Sequence, residues 1–187
     1  MLLQQITEPT EEPVTLAEAK RHLRLESDET DEDGLITTLI SVAREYAEDR
    51  QWKKLAVRTF ELYAADARSF RLPPPCQEIL SVIVTDREGQ TVELAAADYY
   101  LYSDNSKATL ELVSTYKYPA LSVENKFPVQ IQFNSGLIPA AVPKKTKHAI
   151  LMLIGHWYEN REASTEKKRE KPPFAVDALL DMDRTWY

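Results

Sequence analysis

Apolar positions recur with two different periods along the 187 residues, and the change of period divides the chain. Thr15-Leu16-Ala17-Glu18 sets a hydroxyl ahead of an apolar stripe and a carboxylate three residues on, the reciprocal cap of a helix start. Leu16, Ala19 and Leu23 continue at helical spacing and carry a first helix to about Leu25. The acidic run Glu26 to Asp33 suits the N-terminus of a second helix, where the macrodipole favours negative charge. Leu35, Ile36, Leu39, Ile40, Ala43, Tyr46 and Ala47 extend that helix to about Trp52. Residues 1–13, polar and holding Pro9 and Pro13, read as an extended arm.

After Lys54 the period falls to two. Thr59 to Tyr63 and Ser69 to Leu72 alternate, and Ile79 to Thr85 is rich in β-branched residues. Thr91 to Leu94, Tyr99 to Tyr102, Thr109 to Val113 and Val129 to Phe133 are further strands, with Pro73-Pro74-Pro75 and Asp86-Arg87-Glu88-Gly89 as breaks. Short strands separated by turn signals predict a small antiparallel sheet or sandwich. Val142-Pro143 then opens a third helix, expected to reach Glu162, whose middle from Ala149 to Tyr158 is apolar on nearly every face. A helix of that kind is buried on more than one side. Ala163 to Pro173 is a charged linker, and Phe174, Val176, Leu179, Leu180, Met182, Trp186 and Tyr187 form an apolar tail beyond it.

These elements predict an α+β chain: a helical core of two N-terminal helices and one long apolar C-terminal helix, a small antiparallel β insertion, and an extended C-terminal arm. The boundaries are residues 1–55 for the arm and helices, 56–136 for the β-rich insertion, 137–162 for the core helix, and 163–187 for the linker and docking arm. The tail has two outlets. It folds back on its own domain, or it docks on another protein through its aromatic and leucine side chains. The polar linker and the stiff Pro172-Pro173 exit favour docking.

Composition narrows the function. A single cysteine, Cys76, leaves no internal disulfide and no multi-cysteine zinc site. No apolar run approaches the ~20 residues of a membrane helix, and the N-terminus lacks a secretory pattern. The expectation is a cytoplasmic protein without a membrane partner. Four glycines leave little for a Gly-rich phosphate cradle. The net charge of −7 lies wholly in residues 1–34, with ten acidic against three basic side chains, while Lys144 to Lys171 carries eight basic and four acidic groups. That pattern is unlike a nucleic-acid binder, whose basic surplus clusters over the domain.

Candidate chemistry is sparse. His148 and His156 lie eight residues apart on the third helix with Glu159 one turn on, which leaves open a small cytoplasmic metal-dependent hydrolase using those three residues. A metal there needs at least one more ligand, and the spacing matches no H-E-x-x-H or similar arrangement. The acidic run lacks the pattern of a calcium loop. Cys76, among prolines with no basic neighbour, is not placed as a nucleophile. The reading is therefore of a protein without catalytic residues, cofactor or metal.

Three stretches resemble the head–tail connector (adaptor, head-completion) family of tailed phages: Val14-Thr15-Leu16-Ala17-Glu18-Ala19-Lys20-Arg21-His22-Leu23-Arg24-Leu25, the helix ending His156-Trp157-Tyr158-Glu159-Asn160-Arg161-Glu162, and Pro173-Phe174-Ala175-Val176-Asp177-Ala178-Leu179-Leu180. The tail departs from the family's usual close at Met182-Asp183-Arg184. The resemblance implies a structural, non-enzymatic virion protein of the neck, between capsid and tail, present in the host cytoplasm before assembly. It implies a ring of copies, usually a dodecamer, under the portal protein, joined to stopper or tail-completion proteins, with phage DNA passing through the lumen without sequence-specific binding. The expected interface residues are Trp157, Tyr158, Glu159, Asn160, Arg161, Phe174, Val176, Leu179, Leu180, Trp186 and Tyr187. The acidic residues 26–33 face either basic groups of a neighbouring subunit or the DNA channel.

Overall fold

A computed structural model describes residues 1–65, 68–113, 120–122, 124–161 and 174–185. The chain is α+β and divides into two compact units, Met1–Thr10 with Val57–Gly136 and Glu11–Ala56 with Leu137–Tyr187. Among the described residues no helix is long and apolar enough to cross a membrane.

The β unit holds two antiparallel sheets. In the first, β1 (Leu2–Gln5), β2 (Arg58–Ala64), β8 (Val129–Ser135), β4 (Cys76–Thr85) and β5 (Thr91–Glu93) lie in that order. In the second the order is β3 (Ser69–Leu72), β7 (Ala108–Leu112), β6 (Tyr99–Ser103). Strict alternation turns Phe60, Leu62, Val129, Ile131 and Phe133 of the first sheet inward, and Phe70, Leu72, Leu110 and Leu112 of the second join the same core. Phe60 and Phe133 are direct cross-strand partners, their rings stacked at 5.8 Å, and such pairs are the stabilising unit of a sheet. One expectation needs correcting here. The N-terminal arm is in part a strand: Leu2 to Gln5 pair with Tyr63 to Phe60 through the backbone, with every side chain exposed.

The helical unit is built from α1 (Leu16–Leu23), α2 (Asp33–Gln51), α3 (Lys144–Glu159) and α4 (Phe174–Asp181). Thr15 caps α1 reciprocally: the Glu18 N–H donates to Thr15 Oγ1 at 3.2 Å, and the Thr15 N–H donates to Glu18 Oε2 at 2.8 Å. Packing gathers Ala19 from α1, Ile36, Ile40, Ala43 and Ala47 from α2, and Ala149, Ile150, Leu153 and Ile154 from α3. Leu151, Met152, Trp157 and Tyr158 flank this cluster half-buried, so α3 presents one broad inward face against α1, α2 and α4. Arg44, 2% exposed, is held by Glu12 at 2.9 Å and Glu48 at 3.5 Å, so a buried cation is matched by carboxylates.

Candidate assembly surfaces

The end of α3 is the first surface the sequence singles out. Trp157 packs edge-on against Tyr46, with centroids 6.1 Å apart and rings at 81°. The Tyr158 hydroxyl donates to Glu32, and the Arg161 guanidinium grips the same carboxylate in a fork, at 2.7 Å (Nη1–Oε1) and 2.9 Å (Nη2–Oε2). The guanidinium also lies 4.5 Å from the Tyr158 ring centroid. Glu32 stands just before α2, so the trio ties the start of α2 to the end of α3. The Arg161 hydrogen bond, then that of Tyr158, holds the Glu32 carboxyl below the usual carboxylate range, and the same carboxylate pushes the Tyr158 phenol up. Asn160 turns its amide back to the His156 carbonyl at 2.8 Å and closes the helix. Glu159 is exposed.

The acidic run before α2 is anchored from below. Lys20, 6% exposed, donates to the Glu29 carbonyl at 2.6 Å and pairs with Asp33 at 2.5 Å. Glu26, Asp28, Glu29 and Asp31 point to solvent.

The C-terminal segment overturns an expectation. Val176 and Leu180, placed by the sequence on a docking arm, are fully buried in the core of their own subunit, with Leu179 packed half-buried beside them. Val176, Leu179 and Leu180 recur at helical spacing, and the apolar stripe they make meets α2 and α3 of the same chain. Polar contacts fix the register. Tyr46 donates to Asp177 at 3.0 Å, Arg50 pairs with Asp181 at 2.6 Å, and Gln51 Nε2 donates to the Leu180 carbonyl at 3.0 Å. Beyond the helix, Thr185 Oγ1 donates to the Gln51 carbonyl at 3.0 Å and Lys145 pairs with Asp183 at 2.9 Å. Burial lowers the pKa of Lys53 against the opposing pull of Asp183. Phe174 opens α4; Glu162, the linker 163–173, Trp186 and Tyr187 lie outside the described residues.

Periodicity places Trp52 at the end of α2 but not as a surface feature. It is 49% exposed, stacks with the Arg184 guanidinium at 4.9 Å, and adopts left-handed backbone at φ 58°. Its signal in the sequence is a helix end with no glycine or asparagine to take that conformation.

The hydrolase reading finds no support. His148 and Glu159 are exposed and His156 is half-buried, and among the described residues no three His, Cys, Asp or Glu side chains are grouped to hold a metal. The thiol of Cys76 is pushed up to about 12 by burial, which leaves no thiolate at neutral pH.

The chain is a member of the phage gp6-like head-tail connector protein family, whose model matches residues 13–177. It is similar over its whole length to a chain in the neck of an empty gene transfer agent particle computed with C6 symmetry. That similarity has a TM-score of 0.81, 26% identity and 97% of that chain covered. A chain in the virion of the native particle gives a TM-score of 0.80 at 26% identity, with 100% of this chain and 97% of that one covered. The native neck computed with C12 symmetry shares the fold at 23% identity and a TM-score of 0.78, with the same coverage. Among curated proteins none matches the chain.

Proposed function

We propose that this chain is a structural subunit of the virion neck. Copies assemble as a ring under the portal, join it to stopper or tail-completion proteins, and leave a lumen through which DNA passes without sequence-specific contact. The observation that carries this reading is the family match over residues 13–177, joined by likeness to a neck chain at TM-score 0.81. Neck structures computed with six-fold and twelve-fold symmetry support a ring, with the dodecamer as its number. The role is positional, not enzymatic. In the ring, α3 is the central helix of each subunit, and exposed Glu159, with the outer edges of Asn160 and Arg161, faces a neighbour. Val176 and Leu180 have no part in that surface, being buried in their own core. The exposed acids Glu26, Asp28, Glu29 and Asp31 meet basic groups of the adjoining copy. Exposed pairs contribute only about 0.2–1 kcal/mol each, so they tune assembly instead of driving it.

The test is a stop codon early in the coding sequence of a particle-producing strain. DNA-filled heads without tails, restored to tailed particles by the chain supplied in trans, are the expected outcome. Normal tailed particles from the stop-codon strain would contradict the reading.

A further inference from the structure

Trp52 is costly where it stands. A residue with a Cβ in left-handed backbone is strained, and bulky side chains are found there seldom. Glycine or asparagine would close α2 without that strain. Half of the side chain faces solvent. Strain kept at an exposed aromatic residue points to a use outside the subunit. Arg184 stacks on the indole, so the surface combines an aromatic plate with a guanidinium, the two side-chain types that dominate interface anchors.

The same unit carries an apolar groove of about 430 Å³ floored by Val14, Leu16, Ile40 and Pro139. Glu11 and Glu12 stand on its rim; Glu12 is held by Arg44 and Ser41, and Glu11 is exposed. Trp52, the C-cap of α2, stands twelve positions beyond Ile40, roughly 18 Å along the helix axis. Groove and plate are therefore different patches of one subunit. A contact between them joins unlike surfaces, and contacts of that type close into rings when the rotation repeats.

We propose that the groove takes the Trp52 indole of the next copy of this chain, with the partner's Arg184 set against the Glu11 rim. An apolar floor receives the ring, and opposite charges at the edge fix its orientation. The inference rests on the ring reading above and adds the surfaces that would join subunits.

The test follows self-association of the full chain by sedimentation velocity over a concentration series. Trp52→Gly relieves the backbone strain, so its thermal midpoint should match or exceed that of the unmodified chain while association weakens at least about tenfold. Should Trp52→Gly fail to fold, Trp52→Asn tolerates the same backbone and gives the same reading. Glu11→Arg and Arg184→Glu should each weaken association, and the double variant should recover most of it. Association of Trp52→Gly equal to the unmodified chain, or a double variant no better than the singles, overturns the proposal. An unmodified chain that is monomeric at every concentration also overturns it, and leaves the neck reading to the particle experiment. Tailed particles from the stop-codon strain together with Trp52-dependent association would sink the neck reading alone.

Discussion

Leu180 decides whether the C-terminal segment belongs to its own subunit. Its side chain is fully buried among α2 and α3, and its carbonyl accepts from Gln51, itself buried. Leu180→Ala removes buried methyl and methylene groups and leaves a cavity, a loss of about 2–5 kcal/mol in well-packed sites. For a chain of 187 residues each kcal/mol moves the unfolding midpoint by roughly 2–4 °C, so a fall of about 10 °C is the central expectation. Ala175→Glu, on the exposed side of the same helix, should stay within about ±0.5 kcal/mol and controls for helix content. Helical ellipticity followed on heating reads both variants. A midpoint unchanged by Leu180→Ala would mean that α4 does not pack on its own core in solution, and would restore the free arm that the sequence suggests.

Three further outcomes follow from particular contacts. The Glu32 carboxyl has its folded pKa lowered by Arg161 and Tyr158, so its contribution is present above the ordinary value of about 4.3 and is lost as pH falls through the folded value. Urea unfolding should therefore show the unmodified chain more stable than Glu32→Gln from pH 5 to 7, with the gap closing in stronger acid; a gap that grows on acidification would refute the assignment. Thr15→Ala removes the hydroxyl half of the α1 cap and should lower stability by about 0.5–2 kcal/mol in the same assay, with no loss pointing to a cap that does not form. Cys76, buried and with its thiol pushed up to about 12, should resist thiol reagents at pH 8 in the folded chain and react on denaturation.

The sequence reveals those elements whose side chains carry a period or a cap. Thr15 and Glu18 mark the start of α1, and β2 to β8 fall in or beside segments where apolar residues alternate or β-branched residues collect. The first strand leaves no such trace. Leu2 to Gln5 pair through the backbone with all side chains exposed, so no alternation records the pairing. The site was partly legible in the same way. Trp157, Tyr158 and Arg161 stand out by composition, but their shared partner Glu32 lies 126 residues from Tyr158, beyond the reach of local spacing. Val176, Leu179 and Leu180 are recognisable as an apolar stripe, yet a stripe docks equally well on its own core or on a neighbour's. Only the fold distinguishes the two, by bringing Tyr46, Arg50 and Gln51 to one side of α4.

Electron microscopy of the purified full-length chain mixed with its portal tests the central claim most directly. The account predicts a ring of this chain seated on one end of the portal, with twelve-fold density continuous around an open lumen. Portal particles with no added ring density, under conditions where both proteins are folded, would contradict it.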